Sequence, residues 1–459
     1  YAGSEVEIDH EDVFLITAPT VTSNVFEIAI HIDVAIAGIP VFQADTVKVV
    51  FHDDILSGDF LPDANESILY VLSDLELGLL PNYAIQKNPE VDIRVVSYNV
   101  LSNGFFEASR TEYFTRILQA IEPDIIGFQE IYDYTSSQVA FEIENMLPSA
   151  SGQDWYHAKA GPDCHAISRY PIVKSTKIQG QNSSSGNGAF LIDIPAIDSD
   201  ALLIVAHPPC CDNNSGRQKE VDLIMEFVRE AKEGKGPIPI EPTAPIIILG
   251  DMNLVGDHQQ LKTLLTGDIV NENAYGEDFD PDWDGNPLLD SNPYVTSLPF
   301  NYTWYDEGSS FSPGKLDYII YSGSNLILQN QFSLFTPSLP QDSLTAYGLF
   351  KNDAVNASDH LPLVTDFEFR FPVNTHSDLD KNAPEITLYP NPFSESFEVF
   401  IEGNNQPISY QLLNPRGQVI LEGSFIDILQ VSDLNDSGIY ILRLTVDGQV
   451  ISKRIVKFN

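Results

Sequence analysis

The chain has few cysteines, few basic residues and no long apolar run. Its 459 residues include 3 Cys, and 24 Lys and Arg against 66 Asp and Glu, which gives a formal net charge of −42. Three cysteines exclude a disulfide-rich scaffold. So negative a surface opposes tight binding to nucleic acid or to an anionic membrane at low salt. Because no stretch reaches the roughly 20 apolar residues of a membrane span, we predict no transmembrane segment.

Hydrophobic patterns divide the chain into three predicted domains with two linkers. Residues 1–90 contain short apolar runs separated by turn-rich pieces, which is typical of a small β-sandwich. Residues 91–371 alternate between strand and helix patterns, which predicts a layered α/β domain. Residues 382–459 are again a series of short strands and predict a second small β-sandwich. The linkers are predicted at 80–90 and 372–381.

The central domain contains a buried strand with a polar end. Residues 246–249 form an uninterrupted apolar run, which is followed by Gly250, Asp251, Met252 and Asn253. Asp and Asn are common turn formers, so this end could be a turn alone. If the chain stays extended, residues two apart return to the same face. Asp251 and Asn253 would then face one ligand together.

The same pattern recurs at the ends of other predicted strands. Short polar side chains stand there at Asn99, Glu130, His207, Asp317, Ser358, Asp359 and His360. Turn chemistry alone does not explain this set, because His and Glu are poor turn formers. Strand ends are where layered α/β proteins build their sites. The sequence therefore predicts a functional site assembled from these residues.

Six segments in order carry a family resemblance: SYNV, DIIGFQEI, SRYPI, ILGDMN, LDYIIYS and SDHLPLV. Over about 94–366 they resemble the endonuclease/exonuclease/phosphatase superfamily. The resemblance implies an α/β fold, a four-layered α/β sandwich with two mixed sheets flanked by helices. It also implies a hydrolase of phosphoric esters that uses Mg²⁺, with Mn²⁺ or Ca²⁺ as alternatives.

The resemblance also implies metal-binding positions. Glu130 matches the acid that holds the metal, Asn99 lies close by, and Asp359 matches a second acid near the metal. Oxygen ligands of this kind suit Mg²⁺, which keeps several waters and needs only one or two carboxylates.

Catalytic roles carry over to five residues, namely His207, Asp251, Asn253, Asp317 and His360. Asp251 and Asn253 match the pair that positions the attacking water and the scissile phosphate. His360 matches the histidine at the phosphate, oriented by Asp317. A histidine held by a buried acid keeps one tautomer and can carry positive charge.

The phosphate-binding part of the pattern departs from the family. Many members carry Arg where this chain has Asn187. Arg217 is a candidate replacement that could pair with a phosphate, and the alternative is an ordinary surface arginine near a helix start.

An acidic loop and the cysteines leave alternatives open. Asp residues alternate over 278–284 and precede Gly285, which is the order of a calcium loop, but no Glu closes it and a solvated acidic loop is favoured. Outside the cell a disulfide is expected. We predict that Cys164 pairs with Cys210 or Cys211, with the strained vicinal 210–211 pair as the third arrangement.

The C-terminal segment carries a second resemblance. LYPNPF at 388–393 and GIYILRLTVDGQVISKRIVKF at 438–458 resemble the sorting domain of the type IX secretion system. This implies a secreted or cell-surface protein that has the secretion machinery as a partner.

The patterns together predict a secreted, divalent-metal-dependent phosphodiesterase, foremost a nuclease that acts on extracellular nucleic acid. A phosphomonoesterase or a sphingomyelinase-like phospholipid hydrolase is the alternative within the superfamily. An inactive binding module that keeps the fold is the alternative from another class.

Overall fold

The computed structural model describes the central part of the chain almost completely and the two ends in segments. The described residues are 16–18, 20–21, 27–29, 35–36, 39–40, 42–52, 60–62, 66–72, 82–149, 155–178, 186–194, 197, 200–309, 311–370, 386–389, 393, 395–401, 406–414, 419–426, 428–432, 434, 438–446 and 449–457. The predicted linker at 372–381 lies outside them. No helix among these residues is long and apolar enough to cross a membrane.

The described residues before 82 form four two-stranded antiparallel pairs. The pairs are β1 (Ile16–Ala18) with β2 (Glu27–Ala29), β3 (Ala35–Ile36) with β4 (Ile39–Pro40), β5 (Thr46–Val49) with β8 (Ile68–Val71), and β6 (Phe51–His52) with β7 (Phe60–Leu61). The described residues of this region include short strands, and its arrangement as a sandwich stays a prediction.

Two six-stranded mixed sheets form the central part of the chain. Its strands are β9 (Ile93–Asn99), β10 (Ile125–Gln129), β11 (Tyr156–Ala160), β12 (Cys164–Ser168), β13 (Ile172–Lys177), β14 (Gly188–Ile192), β15 (Ala201–Ala206), β16 (Ile246–Asp251), β17 (Leu289–Asp290), β18 (Asp317–Tyr321), β19 (Leu326–Ser333) and β20 (Leu363–Phe369). The first sheet has the order β11-β12-β10-β9-β20-β19 and the second has the order β13-β14-β15-β16-β18-β17. Only the β9–β10 and β15–β16 pairs are parallel.

Helices cover the outer face of each sheet. The described helices are α1 (Thr111–Ile121), α2 (Ser136–Met146), α3 (Asn214–Lys232), α4 (Gln259–Thr266), α5 (Glu272–Tyr275), α6 (Gln341–Tyr347) and α7 (Asp353–Ala357). Apolar residues of α1 and α2 pack on the first sheet, and those of α3 and α4 pack on the second. In α1 the buried Phe114, Ile117, Leu118 and Ile121 form the apolar stripe that the sequence indicates.

The inner faces of the two sheets pack directly on each other. A Cβ atom at Gly127 on β10 would lie 2.2 Å from Leu249 Cδ1 and 3.0 Å from Val205 Cγ2 on the second sheet. Any larger residue at Gly127 would therefore displace the facing side chains of Leu249 and Val205, so glycine lets the two sheets pack closely at this position. Helix, sheet, sheet and helix make four layers, which confirms the predicted α/β sandwich.

The C-terminal region is a separate β-rich unit with its own apolar core. Its strands are β21 (Ile386–Tyr389), β22 (Ser396–Ile401), β23 (Ile408–Leu413), β24 (Val419–Phe425), β25 (Ile428–Ser432), β26 (Gly438–Val446) and β27 (Gln449–Lys457). They form sheets of order β21-β22-β25 and β24-β23-β26-β27. The chain divides into one compact unit of residues 1–194 with 199–370 and a second of 195–198 with 371–459. The three predicted domain boundaries stay a prediction.

Candidate functional site

The predicted site residues meet because strand direction brings them to one edge. Asn99 ends β9, and β10, β15 and β16 end at the same side. Strand β18 runs antiparallel to β16, so its first residue Asp317 pairs in register with Asp251. Strand β20 is likewise antiparallel to β9, so His360 precedes it at this edge. The C-terminal ends of the parallel strands and the N-terminal ends of the strands antiparallel to them therefore meet in a single cluster.

The chain turns sharply at the end of β16, and Gly250 makes this turn possible. Gly250 has φ 140°, and a Cβ atom there would lie 2.0 Å from the carbonyl oxygen of Ala206. Asn253 has φ 52°, so the chain is left-handed at this residue and not extended as the sequence pattern suggested. The Asn253 backbone N–H donates to Asp251 Oδ1 at 2.9 Å. The segment is a turn as well as part of the site, because asparagine tolerates this conformation.

Oδ2 of the buried Asp251 is the centre of the cluster. Side-chain amides of Asn99 and Asn253 donate to it over 3.1 and 3.3 Å. The Nε2 atoms of His207 and His360 both lie 3.6 Å from the same oxygen. Two amides and two imidazoles therefore converge on one carboxylate oxygen from separate strand ends.

His360 is held by a buried acid, as the family pattern implies. Its Nδ1 lies 2.8 Å from Asp317 Oδ2, and that oxygen also accepts a hydrogen bond from the Thr303 hydroxyl at 2.7 Å. The Nδ1 contact to a carboxylate fixes the ring orientation and directs Nε2 towards Asp251.

His207 has an equivalent partner that the sequence patterns did not identify. Its Nδ1 lies 2.6 Å from Oδ2 of the buried Asp163, which also accepts the backbone N–H of Glu130 at 3.2 Å. Asp163 does not follow an apolar run; it immediately precedes β12, which is antiparallel to β10. An acid at the start of a strand was therefore the available signal, as it was for Asp317.

Both imidazoles favour the protonated form. Burial lowers the pKa of His207, but the hydrogen bond to Asp163 and the charge of Asp251 outweigh burial and raise the pKa to about 9. Burial also lowers the pKa of His360, and the charges of Asp317 and Asp251 raise it to about 10. Burial raises the pKa of Asp251, against the opposing effect of the two imidazoles. The two rings can thus carry positive charge at neutral pH.

Glu130 is positioned by an unusual stretch of backbone. Glu130 has φ 64°, and three successive residues of the neighbouring loop, Leu101, Ser102 and Asn103, also have positive φ. The Ser102 N–H donates to Glu130 Oε2 at 2.8 Å, and the Asn99 amide donates to Oε1 at 3.0 Å. Left-handed backbone at non-glycine residues costs energy and persists where the surroundings impose it. Here it aims the carboxylate at the cluster.

Two overlapping groups of side chains could hold a metal ion. One is Glu130, His207 and Asp251, and the other is Asp251, Asp317 and His360; within each group the ligand atoms lie within 4.8 Å of one another. Asp317 Oδ1 is buried and has no hydrogen-bond partner among the residues that the structure describes. Carboxylate oxygens at this spacing fit the oxygen preference of Mg²⁺ and Mn²⁺.

The other two predicted metal residues are placed differently. The Asn99 side-chain oxygen accepts the Leu101 N–H at 3.0 Å, so its amide orients the carboxylates of Glu130 and Asp251. Asp359 is partly buried, and its Oδ2 accepts the Trp304 indole N–H at 3.0 Å. Asp359 belongs to neither metal-capable group found among the described residues.

Arg217 does not fit the predicted phosphate contact. It is fully buried, and its guanidinium donates to the carbonyl oxygens of Pro209 at 3.2 Å and Cys211 at 2.7 Å. An arginine enclosed in this way stabilises the loop after His207 and is not exposed to substrate. The prediction was wrong because the first turn of α3 packs beneath that loop.

Asn187, at the position where many relatives carry Arg, supports the backbone beside the site. It is buried, accepts the His207 N–H at 3.1 Å and donates to Glu220 at 2.8 Å. Its side chain therefore supplies no positive charge.

The cysteine pairing also differs from the prediction. Cys210 is bonded to Cys211, and Cys164 is free and buried in β12, so the predicted pairing of Cys164 does not occur. The interior position of Cys164 separates it from the exposed 210–211 loop.

The acidic loop is organised around a lysine ammonium. The Lys232 Nζ donates to the carbonyl oxygens of Asp280, Pro281 and Asp282 at 2.7 to 2.9 Å. It also lies 4.8 Å from the centroid of the Trp283 ring, a cation–π contact. An internal cation thus occupies these carbonyls, which weighs against the calcium alternative.

Comparisons with known proteins agree with this architecture. The model of the endonuclease/exonuclease/phosphatase family matches residues 96–360, and that of a secretion system C-terminal sorting domain matches 387–458. No curated protein matches the chain.

Solved structures with related architecture include three of different origin. The human Nocturnin catalytic domain with bound sulfate has 18% identity, covers 61% of this chain and 94% of its own, and has a TM-score of 0.39. TDP2 from D. rerio, complexed with a single-strand DNA product, has 14% identity, covers 60% of this chain and 98% of its own, and has a TM-score of 0.39. The beta toxin of Staphylococcus aureus has 17% identity, covers 60% of this chain and 99% of its own, and has a TM-score of 0.37.

Proposed function

Because the chain belongs to the endonuclease/exonuclease/phosphatase family, a family of phosphoesterase hydrolases, we propose that it is a divalent-metal-dependent phosphodiesterase. The observation that carries the proposal is the convergence of His207, His360 and Asn253 on one oxygen of Asp251, with Glu130 beside it. Hydrolysis of a phosphodiester needs this combination: a base that accepts the proton of water, and positive charge and hydrogen-bond donors that stabilise the phosphate oxygens.

We assign the metal to Glu130, Asp251 and the surrounding carboxylates. A bound divalent ion would neutralise charge on a phosphate oxygen and make a coordinated water more acidic. Asp251 would accept the proton of the attacking water, since its carboxylate lies at the centre of the cluster. The imidazolium groups of His207 and His360 would stabilise negative charge that develops on the phosphate oxygens.

The C-terminal match shows that the protein is secreted or attached to the cell surface. The enzyme therefore acts outside the cell. The nuclease predicted from the sequence is the form of this function in which nucleic acid is the substrate.

The test combines Asp251→Asn, Asn253→Asp and Glu130→Gln with bis-p-nitrophenyl phosphate as substrate and Mg²⁺, Mn²⁺ or Ca²⁺ as metal. Asp251→Asn keeps the side-chain shape and removes the charge, so kcat should fall by at least about 10²-fold. Asn253→Asp should also reduce turnover, because it places an anion against the phosphate. Glu130→Gln should raise the half-saturating Mg²⁺ concentration more than Asp251→Asn or Asn253→Asp does.

Asp342→Asn is the matched control, because Asp342 is an exposed acid on α6. Melting curves check that each variant is folded, and calorimetry measures Mg²⁺ binding independently of turnover. Wild-type kcat in Asp251→Asn at saturating metal would contradict the proposal. Folded wild-type protein that binds Mg²⁺ and hydrolyses no phosphate ester would favour the inactive binding module instead.

A further inference from the structure

The site is strongly negative even when its histidines are charged. The carboxylates that contact or adjoin the two imidazoles belong to Glu130, Asp163, Asp251, Asp317 and Asp359. Five negative charges against two positive ones leave a formal charge of −3. One bound divalent ion would leave a formal charge of −1 at the site. A site that is still negative repels a substrate with several phosphates.

Three basic side chains beside the site donate to backbone carbonyl oxygens of its loops. The three are Arg110, Lys159 and Arg217. In that order, they donate to the loops that follow Asn99, Glu130 and His207. The accepting carbonyls include those of Val100 and Leu101, of Ile131, Tyr132 and Tyr134, and of Pro209 and Cys211.

Two of these loops expose a neutral side chain close to the site, and the charged side chains that the loops expose, such as Asp133 and Asp212, are acidic. Leu101 and Tyr132 follow Asn99 and Glu130 by two residues, and they are 39% and 44% exposed. The Tyr132 backbone N–H donates to Asn103 Oδ1 at 2.8 Å, which ties its loop to the loop after Asn99. An aromatic face in a negative field attracts a cation and accepts a neutral group.

We infer that the site takes a small phosphodiester with a single negative charge and neutral or cationic substituents, in preference to a nucleic-acid strand. The inference rests on the proposed phosphodiesterase function. Proteins that hold nucleic acid neutralise its phosphates with Lys and Arg, and the loops around this site direct those residues inward. Each flanking phosphate would instead meet a negative site and a chain of net charge −42.

The test uses esters that share p-nitrophenol as leaving group and differ in charge. Ethyl p-nitrophenyl phosphate is neutral beyond the reacting diester, p-nitrophenylphosphorylcholine adds a cation, and 5′-p-nitrophenyl esters of oligothymidylates add one negative charge for each further nucleotide. At low salt, kcat/KM should be highest for the choline ester. It should fall by about tenfold between the mononucleotide and a pentanucleotide, and high salt should reduce this difference.

Tyr132→Lys supplies a matched gain of charge, and Tyr132→Gln is its neutral control. The lysine variant should raise kcat/KM for the pentanucleotide relative to the ethyl ester, whereas the glutamine variant should not. A wild-type kcat/KM that rises with oligonucleotide length and falls with salt would overturn this inference alone. Hydrolysis of none of the esters would overturn the proposed function as well.

Discussion

Nδ1 of His207 lies 2.6 Å from Oδ2 of Asp163, and this contact mirrors the one between His360 and Asp317. Each acid stands at the start of an antiparallel strand, Asp163 just before β12 and Asp317 as the first residue of β18, and each imidazole directs Nε2 at Asp251. The site is therefore symmetric in its chemistry, although the two sheets supply different parts of it.

Asp163→Asn should reduce activity by changing the protonation of His207. The hydrogen bond to Asp163 helps to raise the pKa of His207 to about 9, so the variant pKa should fall towards 6.5. A lower pKa means that the imidazolium is lost at lower pH, and the alkaline limb of kcat/KM should shift to lower pH. We expect kcat to fall roughly 10- to 100-fold, the scale for loss of an orienting carboxylate. NMR titration of His207 and pH–rate profiles measure both effects.

The control for this variant is its metal dependence. Asp163 is in neither metal-capable group of the described residues, so the half-saturating Mg²⁺ concentration should stay near that of the wild type. A variant with an unchanged pH profile would show that Asp163 only supports the fold.

Lys159→Met should weaken metal binding without touching a metal-binding residue. The ammonium donates to three carbonyl oxygens of the loop after Glu130, at 2.9 to 3.1 Å. Loss of these bonds leaves acceptors unpaired and should lower the free energy of unfolding by about 1–3 kcal/mol. We expect the half-saturating Mg²⁺ concentration to rise about tenfold, as measured by calorimetry. Lys159→Arg should recover part of the affinity.

Lys174→Met is the control for the loss of positive charge, because Lys174 is exposed on β13. If both methionine variants change Mg²⁺ affinity equally, general electrostatics explains the effect and the loop contact does not.

The sequence predicted the buried elements better than the exposed ones. The apolar runs of β9, β10, β15 and β16 and the stripe of α1 are long and regular, so their type was clear. Strands β11 and β19 read YHAKA and LILQNQFS, in which polar and apolar residues mix, and the pattern did not reveal them. The aromatic run YTWY has the composition of a strand, yet Trp304 within it makes isolated bridges to Gly314 and His360 and belongs to no ladder among the described strands.

The site could be predicted as a set of residues but not as a geometry. Strand ends and the family pattern identified the residues around Asp251. Asp163, the inward direction of Arg217 and the left-handed Asn253 depend on how separate strands and loops pack. Local patterns do not carry such information, because it arises from residues far apart in the chain.

His165 should make the stability of the protein depend on pH. It is buried in β12, its Nε2 lies 3.0 Å from the Ile131 carbonyl oxygen, and burial lowers its pKa from 6.5 to about 4. The folded state keeps the ring neutral, whereas the unfolded state binds a proton below about pH 6.5. The stability contribution is therefore full above pH 6.5 and is lost as pH falls towards 4, by about 3 kcal/mol at most.

His165→Gln tests this, because glutamine can still donate to the Ile131 carbonyl but does not titrate. Urea unfolding of both proteins from pH 7 to pH 4 should show a wild-type free energy of unfolding that falls more steeply. Parallel curves for the two proteins would rule out the effect, since the other titrating groups are common to both.

The C-terminal sorting domain should be dispensable for catalysis. The family match ends at residue 360, and no predicted site residue lies beyond His360. The compact unit that contains the site ends at Arg370. A chain that ends at Asp380 should keep its kcat and KM for bis-p-nitrophenyl phosphate within about twofold, because the predicted site residues all lie in the unit that ends at Arg370. The same chain should fail to reach the medium when it is produced in a host with the secretion system, since it lacks the matched sorting segment. Kinetics of the purified protein and its partition between cells and medium measure the two properties separately. A shortened chain that keeps the full-length melting temperature but loses turnover would show that the second unit takes part in catalysis, and the predicted domain boundary would then be wrong.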